Sequence, residues 1–160
     1  MDIPSGWIKI PPHPLLLPNF KSTPLLLITP VEPLSSDLSS GCSIYKLDHR
    51  APSHVSQSTA NIALAKWDKG VASNDLSKIF GSGTEMTEFS NTIKNGIRVV
   101  STAAKLSSKE TQLYKQLQFI LTAGGTKASS FTVSCFTATM NEKILEKIDG
   151  FLSSLLFTDI

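Results

Sequence analysis

The stretch "FTVSCFTATMNEKILEKIDGFLSSL", residues 131–155, decides the fold class. Its first ten residues, Phe131 to Met140, are rich in β-branched and aromatic side chains and read as a strand. Asn141 then stands at a helix N-cap, and apolar residues recur with helical spacing at Ile144, Leu145, Ile148, Leu152, Leu155 and Leu156. Gly150 weakens that helix by about 1 kcal/mol relative to Ala. A strand running straight into an amphipathic helix predicts an α+β protein.

Upstream, "AGGTKASS" (123–130) is a hairpin-type turn, and "GIRVVSTAAKL" (96–106) gives a strand around Ile97 to Val100. "TQLYKQLQFILTA" (111–123) fits two templates. Leu113, Leu117, Ile120 and Leu121 have helical spacing, whereas Leu113, Leu117, Phe119 and Leu121 alternate; we read it as strand. "GSGTEMTEFSNT" (81–92) has two glycines and no sustained period, which predicts a loop.

Two short helices are expected before it. "STANIALAKWD" (58–68) places Ala60, Ala63, Leu64 and Trp67 on one face, capped by Ser56 or Ser58 and stopped by Gly70. Trp67 is the expected structural anchor of this helix, its ring covering the rim of the core. "SNDLSKIFG" (73–81) follows, with Ser73 as cap, Leu76, Ile79 and Phe80 buried, and Gly81 as stop. "CSIYKLDHR" (42–50) alternates as a strand.

Proline divides the chain. Eight of the nine prolines lie at or before Pro33, and none follows Pro52. Residues 1–40 therefore read as a Pro-rich extended arm and 41–160 as one α+β globular domain, in which short helices and a C-terminal helix pack an antiparallel sheet. "PLSSDLSSG" (33–41) is the hinge between them. Proline forbids a stable helix in the arm, yet its leucines are too apolar for a solvated tail. Pro11, Pro12, Pro14, Leu15, Leu16, Leu17, Leu25, Leu26, Leu27 and Ile28 must dock on something. That is either this chain's own body, as edge strands, or a neighbouring copy, as a self-association arm.

The composition excludes more than it assigns. With 18% charged residues and a formal net charge of +2, the whole-chain charge argues neither for a dedicated nucleic-acid binder nor for a disordered acidic tail. Cys42 and Cys135 have no zinc-ligand spacing, so no metal is expected and a reduced protein is the simpler reading. The first residues lack the basic region of a signal peptide, and no apolar run is long enough for a membrane span. "AGGTK" departs from the phosphate-binding loop because Thr126 separates Gly125 from Lys127. Asp48, His49 and His54 flank a proline turn without a nucleophile motif, and His13 has no evident partner. No enzyme, cofactor or small-molecule substrate is expected.

Local charge is more telling. Lys94, Arg98, Lys105, Lys109, Lys115 and Lys127 face only Glu110 between residues 94 and 127, a balance of +5. Such a segment is either a solvated face or a patch for anionic membrane or ribonucleoprotein. Lys66, Lys69 and Lys78 form a second group, partly offset by Asp68 and Asp75.

Residues 43–80 combine "SIYKLDHR", a proline turn, an Ala-rich helix ending "KWD", and "LSKIFGSG". With the closing strand and helix at about 131–156, this resembles the matrix proteins of rhabdoviruses. The length fits a compact plant-infecting member. The resemblance implies an α+β domain whose N-terminal segment docks on the next subunit, and a virion structural protein between nucleocapsid and envelope. Its implied partners are further copies of itself, viral ribonucleoprotein and anionic membrane, and its implied location is the virion and the host cytoplasm. The arm departs from animal members: it carries only Lys9 and Lys21, and "PPHP" at 11–14 replaces a PPxY or PTAP motif. A soluble adaptor binding a host domain through Pro11–Pro14 or Pro30–Pro33 is the alternative, as is an accessory protein of the silencing-suppressor type.

Overall fold

The computed structural model describes residues 6–9, 24–30, 40–106, 112–138 and 141–155. Its elements are β1 (Trp7–Lys9), β2 (Pro24–Pro30), β3 (Ser40–Arg50), α1 (Gln57–Ala65), α2 (Lys69–Phe80), β4 (Glu85–Lys94), β5 (Ile97–Lys105), β6 (Leu113–Thr122), β7 (Lys127–Thr137) and α3 (Glu142–Ser154). The strands form one antiparallel sheet in the order β1-β2-β3-β7-β6-β5-β4. The expected α+β class, with an antiparallel sheet and a C-terminal helix, is the one found.

The topology follows from one crossover. After β3 the chain traverses α1 and α2 to the far edge, then returns strand by strand from β4 to β7. There β7 pairs with β3 along its whole length, from Ser40↔Thr137 to Arg50↔Lys127. Both faces of the sheet are covered in its middle. On one face α3 lays Ile144, Ile148 and Phe151 over Val99, Leu117, Phe119, Val133 and Cys135. Each large aliphatic side chain fully buried here contributes roughly 2 kcal/mol. On the other face Leu76 of α2 meets Ala104, Tyr114 and Phe136, and α1 lies over β5 and β6.

Several expectations change. Residues 85–94 are a strand rather than part of a loop. β4 is an edge strand open to solvent on most of both faces, so it shows no alternation, and pairing with β5 supplies its order. A bulge between Met86 and Glu88 shifts its register. Gly70 does not stop the first helix: α1 ends at Ala65, and Asp68 caps a new helix by accepting from the Val71 amide at 2.9 Å. Ser73 therefore lies inside α2 rather than capping it. Ser56 is the cap of α1, Ala60 and Leu64 are buried, but Ala63 is exposed. The 111–123 stretch is strand from Leu113 to Thr122. In α3, Phe151 joins the buried face, one turn beyond Ile148.

The cysteines differ most from expectation. Cys42 and Cys135 are directly opposite on β3 and β7, with Cα atoms 4.1 Å apart, and form a disulfide. The reduced reading rested on spacing along the chain, and spacing says nothing about which strands become neighbours.

Candidate functional site

The N-terminal segment supplies two strands of the sheet. Leu26 opposes Ile44, Leu27 opposes Ser43 and Ile28 opposes Cys42, so β2 extends the edge of β3. β1 extends it again through Trp7↔Pro30 and Lys9↔Ile28. Two side chains carry this docking. Ile28 is fully buried, and Trp7 packs on Phe151 of α3 with ring centroids 5.7 Å apart. Leu26 is partly buried against the same cluster. Leu25 and Leu27 are placed here by their backbone alone, and Pro11, Pro12, Pro14, Leu15, Leu16 and Leu17 lie outside the described residues.

The six basic residues are dispersed. Lys94 and Lys127 sit at one end of the sheet, the end that holds the β4–β5 and β6–β7 turns. Lys105 closes β5 at the opposite end, about 27 Å away at strand rise. Lys115 is tied to Asp149 of α3 at 2.6 Å. Arg98 donates to Asn91 Oδ1 at 2.8 Å from a half-buried position. Lys109 lies outside the described residues. Arg50, not singled out in the sequence, stands directly opposite Lys127. Like charges facing each other across a ladder are unfavourable, and an anion between them relieves that cost.

Asp48 and His49 point to opposite faces of β3, as neighbours in a strand must. The His49 ring meets the Ser130 hydroxyl at 2.6 Å, while Asp48 accepts from Ser129 at 2.6 Å and pairs with Lys46 at 2.9 Å. The Ser129 hydrogen bond, then Lys46, hold the Asp48 carboxyl below its ordinary value. Asp48 therefore does not orient His49. Among the described residues no three His, Cys, Asp or Glu side chains are grouped as metal ligands, and no helix is long and apolar enough to cross a membrane.

Trp67 is half-buried in the link between α1 and α2, and its carbonyl accepts from Asn91 Nδ2 at 2.9 Å. It walls a cavity of about 200 Å³ between α2 and the sheet. Ala72, Leu76 and Ile79 of α2 form the apolar side. Their spacing of three and four residues puts them on one helix stripe. The floor is polar: Thr102, Gln116 and Gln118 project from β5 and β6 beside Val100. Asp75 and Lys78, 3.7 Å apart, complete the lining. Sequence reading missed this floor. Its one signal was the polar alternation Gln116, Gln118 on a strand whose other face is Leu117 and Phe119, which resembles an ordinary solvent-facing pattern.

No family model matches the chain, and no curated protein matches it.

Proposed function

We propose that the chain is a non-enzymatic, self-assembling structural protein of the viral matrix type, acting in the virion and at the cytoplasmic side of membranes. The observation that carries this reading is the way β1 and β2 join the sheet. They are added to the edge of β3 by backbone pairing and by two inserted side chains, Trp7 and Ile28. Contacts of this kind are the same whether the strands come from the same chain or from a neighbour, so exchange of the N-terminal segment links copies with no new surface. The expected hinge at 33–41 lies, apart from Ser40 and Gly41, outside the described residues. Arg50, Lys127 and Lys94 at one end of the sheet supply weak attraction for anionic membrane or ribonucleoprotein, multiplied over many linked copies.

Light scattering on the full chain, across protein concentration and at low and high salt, tests this. Mass should rise with concentration, and Ile28→Asp should stop that rise. A full chain that stays monomeric at every concentration overturns the assembly reading and leaves the adaptor reading, in which the Pro-rich segment binds a host domain.

A further inference from the structure

The cavity under α2 sets apolar walls over a floor of amide and hydroxyl groups. Thr102 and Gln116 are each 6% exposed, and both line it. The buried side-chain polar atom left without a partner among the described residues is Arg98 Nε, so the amide of Gln116 and the hydroxyl of Thr102 are not sealed off but face the open space of the cavity. Groups so placed can exchange hydrogen bonds to water for hydrogen bonds to a ligand. The register sets their arrangement. Thr102 is directly opposite Gln116 across β5 and β6, and Gln118 follows on the same face about 7 Å along the strand. The floor is thus a flat row of amide and hydroxyl groups that both donate and accept.

The walls narrow the class of ligand. Trp67 offers an aromatic surface, and Leu76 and Ile79 offer aliphatic ones. A saccharide, polar all round, would leave hydroxyls against Leu76 and Ile79. An aliphatic chain would leave Gln116, Gln118 and Thr102 unpaired. A planar heterocycle, apolar on its faces and hydrogen-bonding at its edge, satisfies both surfaces. Asp75 is paired with Lys78, so the lining has no net charge and favours an uncharged ring. At about 200 Å³ the space is below the roughly 300–1,000 Å³ of ordinary ligand pockets, which limits it to one ring system. Lys66 and Lys69, both exposed, flank Trp67 in the chain, where they suit the phosphates of an attached strand.

We propose that this cavity holds a single unpaired nucleobase, its edge on Gln116, Gln118 and Thr102 and its face against Trp67. The base comes either from a free nucleoside or from single-stranded RNA. This inference is independent of assembly through the N-terminal strands.

The test is a titration of the full chain, followed by tryptophan fluorescence in the Trp7→Phe background so that Trp67 is the reporter. The probes are the four ribonucleosides, the four RNA homohexamers, an abasic hexamer and methyl glucoside. Saturable quenching by at least one nucleoside or homohexamer is expected. Gln116→Leu and Thr102→Val should each weaken it by about tenfold, the loss of a hydrogen bond made inside a buried site. The melting temperature of Gln116→Leu, measured in parallel, should stay close to the parent's, which separates lost binding from lost folding. Quenching by both nucleoside and hexamer supports a site open to free bases, and quenching by hexamer alone identifies the strand as the source. The proposal is overturned if no base-containing probe quenches at millimolar concentration. It is likewise overturned if the abasic hexamer binds equally well, if methyl glucoside is preferred, or if Gln116→Leu binds as tightly as the parent.

Discussion

Asn91 shows how much one side chain of an edge strand can hold. Its amide donates to the carbonyls of Leu64 at 3.0 Å and Trp67 at 2.9 Å, at the end of α1 and just beyond it. Its oxygen accepts from Arg98, whose backbone amide in turn donates to Asn61 Oδ1 at 2.9 Å. Asn91→Ala leaves two carbonyls and a half-buried guanidinium short of partners, and should cost about 2–3 kcal/mol in urea unfolding. Tyr114 gives a pH-dependent counterpart. Burial raises its phenol well above the ordinary value of 10.0, opposed by the hydrogen bond with Ser134 at 2.7 Å. Because the folded value is the higher one, the stabilising contribution is complete below the unfolded value. It is lost as pH rises from there toward the folded value. Tyr114→Phe should therefore cost about 1 kcal/mol at neutral pH, yet flatten the loss of stability seen in urea melts above pH 10. At this scale the sequence was least legible. Asn91 lay in a stretch read as loop, and nothing along the chain announces that Tyr114 and Ser134 become neighbours.

Elements were legible where their own pattern was enough. α3 has a cap and an apolar stripe, and β7 has β-branched and aromatic residues; both are organised by local preference. β4 and the start of α2 were not, because each takes its order from a partner. β4 borrows it from β5, and α2 begins where a capping carboxylate happens to follow Trp67. Asp68→Ala should accordingly cost about 1 kcal/mol and lower the melting temperature, with helix content by circular dichroism falling only slightly. β2 stands between these cases. Its leucines showed that the segment must dock, and the register with β3 shows where. Ile28→Ala, at a side chain with no exposed surface, should cost about 2–4 kcal/mol in the same unfolding assay. The cavity floor was illegible for a related reason: a glutamine on a strand looks the same whether water or a helix lies above it.

For the whole molecule, the disulfide sets the largest constraint. It joins residues 93 apart, and the chain-entropy view gives a loop of that length a stabilisation of about 4–5 kcal/mol. Treatment with a thiol reductant should lower the urea midpoint by an amount consistent with that figure and leave the far-ultraviolet spectrum of the native protein unchanged. The cross-link also divides the chain. β4 to β6 with α1 and α2 lie inside the closed loop, whereas β1, β2 and α3 lie outside it. Pulled from its two ends, the protein would therefore lengthen only by what lies beyond Cys42 and Cys135. The N-terminal strands and the final helix would peel away, and tension would then pass straight through the sulfur bridge. Between those two residues the sheet would bear no load and would stay mechanically sheltered while the rest of the chain is drawn out.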